Sequence, residues 1–124
     1  MARKATVIDS SRKLSAKERI QFLQAGTSAV KLDQATAAGQ VEFKPVLWAV
    51  IRVEPENDEP FDQYIIVSED GTIYTTGSLS FWESFKLIWD EMASEDEDEE
   101  YTVIVFRSPS RKYEGKTFIT CRIG

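Results

Sequence analysis

A chain of 124 residues with 42% hydrophobic content carries enough apolar mass for one ordinary domain and too little for two comfortable ones. There is no histidine and a single cysteine, Cys121, which excludes an internal disulfide, the usual cysteine-histidine zinc spacings and every histidine-based acid-base or nucleophile pair. The formal net charge of −6 hides a partition: +5 over residues 1–53, −15 over 54–100 and +4 over 101–124.

No apolar run reaches the length of a membrane span, and the start "MARKATVIDSSRK" lacks the apolar stretch of a signal peptide. A soluble protein of a reducing cytoplasm is expected, with no membrane partner. A Gly-rich phosphate loop and a DxDxDG calcium loop are both missing, so no cofactor and no enzyme activity are expected.

After a mixed N-terminal stretch, "LSAKERIQFLQAG" predicts a short helix, with Ser15 as its cap, Glu18 three residues on, apolar Ile20 and Leu23, and Gly26 as a stop. "TSAVKLDQATAAGQ" reads as a brief strand followed by a Gly-containing turn. "VEFKPVLWAVIRVE" reads as one long strand, with Val41, Phe43, Leu47, Ala49, Ile51 and Val53 on one face and Glu42, Lys44, Trp48 and Arg52 on the other. "PENDEP" is an acidic loop and "FDQYIIVS" a second strand. "EDG" is then a tight turn into a third strand, "TIYTTG", which puts Thr72, Tyr74 and Thr76 on one side.

In "SLSFWESFKLIWDEM" the period changes. Phe81, Phe85, Ile88, Trp89 and Met92 form a helical stripe assigned to the core, with Ser80 and Glu83 as a capping box. "YTVIVFRS" and "KTFITCRIG" close the chain as two strands joined by a loop holding Pro109 and Gly115. In the last strand Lys116, Phe118, Thr120 and Arg122 share one face.

The order strand, strand, strand, helix, strand, strand is that of an OB-fold, a mainly β, five-stranded Greek-key barrel with one helix between strands 3 and 4. Residues 1–25 then form an N-terminal extension with a short helix, and 26–124 the barrel domain. The nucleic-acid surface of that fold lies around strands two and three, walled by the loop between the last two strands, which here is the basic "SPSRKYEGK".

From residue 26 to the end, the layout resembles the small single-stranded DNA-binding proteins of tailed bacteriophages, in particular the compact ones of phages that replicate by protein priming. "DGTIY", Asp70 to Tyr74, is the local match to their turn-and-tyrosine pattern. The resemblance implies coating of unwound template during replication, in the host cytoplasm, with Tyr74 as a base-stacking residue.

Sequence-tolerant binding of a single strand needs flat rings for bases and cations for phosphates. Trp48, Tyr64, Tyr74, Tyr113 and Phe118 are the candidate rings. Lys44, Arg52, Arg107, Arg111, Lys112, Lys116 and Arg122 are the candidate cations. The acidic run Glu95 to Glu100 reads either as a solvated linker or as a segment that occupies a basic groove or meets replication proteins. An alternative reading makes the acidic middle a mimic of the DNA backbone that binds a DNA-handling enzyme: acids arrayed along one face would favour it, acids confined to loops the first reading. A metal-dependent nuclease on Asp62, Glu69 and Asp70 comes third.

Overall fold

The computed structural model describes residues 4–24, 29–94, 100–110, 112 and 114–124. In chain order the elements are β1 (Lys4–Ser10), α1 (Ala16–Leu23), β2 (Val30–Lys31), α2 (Leu32–Ala35), β3 (Val41–Phe43), β4 (Pro45–Glu54), β5 (Phe61–Ser68), β6 (Ile73–Thr76), α3 (Leu79–Ser94), β7 (Val103–Pro109) and β8 (Thr117–Ile123). The protein is mainly β, with one sheet of five strands and one of three. Among the described residues no closed barrel forms. The chain divides into two compact units, residues 1–31 with 46–77, and 32–45 with 78–124.

The division runs through the expected long strand. Pro45 has no N–H to give to a ladder, so it is tolerated at the first position of a strand and not in the middle of one. With only Lys44 between them, β3 joins the three-stranded sheet and β4 the five-stranded one. Val41 and Phe43 therefore do not share a sheet face with Leu47, Ala49, Ile51 and Val53. This corrects the single strand, because a period of two continues unchanged through a change of sheet.

In the first unit the sheet order is β1-β4-β5-β6-β2, with β1 antiparallel to β4 and β2 parallel to β6. Residues 1–25, expected as an extension, supply β1 and α1 to this unit. A register shift between Val7 and Asp9 leaves Ile8 exposed at the edge. One sheet face carries Leu47, Ala49, Ile51, Val53 and Ile65, closed by Leu14 and by Phe22 of α1. The first turn of α1 is the expected capping box: Glu18 N–H donates to Ser15 Oγ at 3.2 Å and Ser15 N–H to Glu18 Oε1 at 2.9 Å. The helix ends at Leu23, and the stop at Gly26 lies outside the described residues.

The turn from β5 to β6 uses Gly71 at φ +89°, a conformation glycine adopts without the Cβ clash of other residues. Asp70 Oδ1 accepts from the Thr72 N–H at 2.9 Å and also from the Ser68 hydroxyl. These two contacts, the hydroxyl first, hold the Asp70 carboxyl below its usual pKa.

In the second unit β7 lies between β3 and β8, both antiparallel to it. Phe81 and Phe85 of α3 are fully buried, their rings stacked with centroids 5.8 Å apart, and Phe43, Val103, Val105, Ile119 and Cys121 are buried with the sheet. The cap of α3 is Ser78 rather than Ser80: Ser78 Oγ accepts from the Phe81 N–H at 3.2 Å. Ser80, one step inside the helix, instead donates to the Ile119 carbonyl of β8 at 2.9 Å.

Candidate nucleic-acid interface

Register decides which side chains of the β7–β8 hairpin share a face. Ser108 stands opposite Phe118, Phe106 opposite Thr120 and Ile104 opposite Arg122. Because alternate residues point to one side of a strand, Ile104, Phe106, Ser108, Phe118, Thr120 and Arg122 share one face, on which Ile104 is buried, and Lys116 continues its parity at the start of β8. Phe106 and Phe118 are diagonal neighbours on it, a separation of about 7–8 Å between backbones that large rings span. Phe118 is 38% exposed, Phe106 is half-buried, and Lys116 and Arg122 are exposed at the two ends. The Ser84 hydroxyl of α3 lies 3.0 Å from that of Thr120, which borders this surface with the helix.

Arg107 lies on the opposite face. Its guanidinium donates to Thr117 Oγ1 at 3.1 Å and to the Asp33 carbonyl, tying β7 to α2. Lys112 is exposed in the hairpin loop, while Arg111 and Tyr113 lie outside the described residues. Lys44 is exposed and pairs with Glu100 at 3.4 Å; Glu95 to Glu99, the rest of the acidic run, lie outside the described residues.

The remaining candidates belong to the first unit. Trp48 is 5% exposed and Tyr64 7%, so neither presents a ring face to a base. Val50 and Ile66, on the same sheet face, are buried too, and the central strands are therefore covered on both sides. Tyr74, beside Ile66 in the register, is half-buried, and burial first and the Asp70 carboxylate second raise its phenol above the usual value. Arg52 is exposed but engaged with Asp62, which raises its pKa and keeps it charged. The structure thus brings Phe118, Lys116 and Arg122 together within the second unit, while Trp48, Tyr64, Tyr74 and Arg52 belong to the first.

Phe106 was not among the candidates. The signal for it was the alternation of "VIVFRS", which separates Phe106 and Ser108 from Val103, Val105 and Arg107.

The three clustered carboxylates do not converge: Asp62 is held by Arg52 and Asp70 by its own turn. Among the described residues no group of three or more acidic, cysteine or histidine side chains is placed to hold a metal ion. Among them too, no helix is long and apolar enough to cross a membrane. No protein-family model, no curated protein and no solved structure matches the chain.

Proposed function

We propose that the protein binds single-stranded DNA without sequence preference, through the β7–β8 surface, and performs no chemistry on it. The observation that carries this reading is the exposed ring of Phe118 beside Phe106, framed by Lys116 and Arg122. A base can lie on either ring whatever its identity, and the two cations meet the phosphates on each side. Lys112 adds charge at the hairpin tip. Coating of unwound phage template is the setting the resemblance implies. The reading needs one hairpin face and not a closed OB barrel.

The acidic-mimic reading has less support. In the first unit the acids Glu56, Asp58, Glu59, Glu69 and Asp70 fall in the two connections flanking β5, and those on α3 alternate with leucines. Neither pattern is a continuous row of phosphate-like charge.

The test is a fluorescence anisotropy titration with labelled single- and double-stranded oligonucleotides at two salt concentrations. Single strands are expected to bind more tightly, and their affinity to fall as salt rises, with a slope of roughly 0.7 per phosphate neutralised. Equal affinity for duplex, or no binding at low salt, overturns the reading.

A further inference from the structure

Two helices present outer faces of opposite character. On α3, Leu79, Glu83, Leu87 and Glu91 recur every fourth residue and so line one side, with Asp90 beside them. All five are exposed, Leu79 at 57% and Leu87 at 66%. This side carries three acids and two large apolar groups, and Lys86 of the same helix is turned to Asp90 at 3.0 Å. On α1, Phe22 faces the core and the opposite side carries Lys17, Ile20 and Leu23, with Lys13 just before the cap. Ile20 is 53% and Leu23 39% exposed. The sole acid of α1, Glu18, is engaged by Arg12 through Nη1–Oε1 at 3.0 Å and Nη2–Oε2 at 2.6 Å.

Scattered single apolar side chains on a surface need no explanation, but leucines interleaved with one sign of charge along a helix define a face with a preferred partner. The complement of a leucine-and-acid face is an apolar-and-basic one, and the α1 surface has that composition. We propose that the protein assembles head to tail, the outer face of α1 in one copy docking on the outer face of α3 in the next. Ile20 and Leu23 meet Leu79 and Leu87, while Lys13 and Lys17 meet Glu83 and Glu91. Each copy offers two different surfaces, so every α1-to-α3 contact joins unlike patches. Nucleic acid is not required for this contact, and failure of the DNA-binding reading would leave it standing.

The experiment is sedimentation velocity on the full chain without nucleic acid, over a concentration series at low and high salt. Wild type is expected to form species larger than the monomer that dissociate as salt rises. Two variants, Lys13→Glu with Lys17→Glu and Glu83→Lys with Glu91→Lys, change only exposed positions, and circular dichroism checks that each is folded. Each alone is expected to be monomeric, because both of its faces then carry one sign. An equimolar mixture is expected to recover the larger species, since each variant then supplies the face the other lacks. The variants have formal net charges of −10 and −2, so general attraction between them does not account for recovery. Leu87→Gln, which leaves net charge alone, is expected to weaken assembly of the wild-type chain. A monomeric wild type, or a mixture that stays monomeric, overturns the proposal.

Discussion

Arg52 grips the carboxylate of Asp62 at two points, Nε to Oδ1 at 2.9 Å and Nη2 to Oδ2 at 3.2 Å. The pair joins β4 to β5 and engages a cation that residue type alone would assign to a phosphate. Among the described candidates, Arg122, on the hairpin surface, is the arginine left to that role. Arg122→Ala is therefore expected to lower single-strand affinity and reduce the salt slope by roughly 0.7, whereas Arg52→Ala changes neither. Parallel titrations of the two variants over a salt series check this.

Phe118→Ala removes the most exposed ring of the surface. Loss of one stacked base corresponds to about 1–3 kcal/mol, or roughly a 5- to 150-fold weaker dissociation constant. Because the ring is more than a third exposed, the thermal midpoint is expected to move little. A variant that binds as tightly as wild type would remove Phe118 from the interface.

The Arg12 guanidinium, followed by the Ser15 backbone, holds the Glu18 carboxyl down at about 2 against an ordinary value of 4.5. In the unfolded chain the same group takes up its proton near 4.5, so between those values the unfolded state binds more protons. Stability from this contact is complete above pH 4.5 and is lost as pH falls toward 2. The difference in thermal midpoint between wild type and Glu18→Gln is expected to be largest at neutral pH and to shrink in acid. Because the pair is exposed, added salt is expected to reduce that difference.

Cys121 is buried between β7 and α3, and burial pushes its thiol up to about 12. The thiolate is the reacting form, so a disulfide reagent at pH 8 is expected to label the folded protein only at the rate of opening. Labelling in denaturant should be complete within the mixing time. Fast labelling of the native chain would contradict the assigned packing of β8.

Ser78→Ala removes the side-chain acceptor from the first turn of α3 and is expected to cost about 1 kcal/mol in denaturant unfolding. Glu83→Ala, which removes the side-chain acceptor, tests the box expected with Ser80, and a loss of similar size there would restore that assignment.

Much of the element order could be read from local chemistry. Ser15 and Glu18 announce α1, the aromatic stripe announces α3, and alternation locates β5 to β8. What escaped was the assignment of faces and partners. "KATVIDS" is a short alternation with few bulky residues, so β1 carries a weak signal until it pairs with β4. Trp48 and Tyr64 alternate with core residues and look like an outer aromatic face. Yet Leu47 to Ile51 is an unbroken apolar run, the mark of a strand covered on both sides. The hairpin surface was legible in Phe118, Lys116 and Arg122, while Arg107 was misassigned because a basic side chain says nothing about which side of a strand it leaves from.

The five-stranded sheet places β1 and β2, both drawn from the first 31 residues, at its two outer margins, with the meander of β4, β5 and β6 between them. During synthesis β1 waits, unpaired, until Glu54 has left the ribosome and β2 until Thr76 has, so this sheet completes late. A chain trimmed of that opening would leave both flanks of the meander open to strands of neighbouring molecules, and precipitation rather than a smaller folded protein is the natural result.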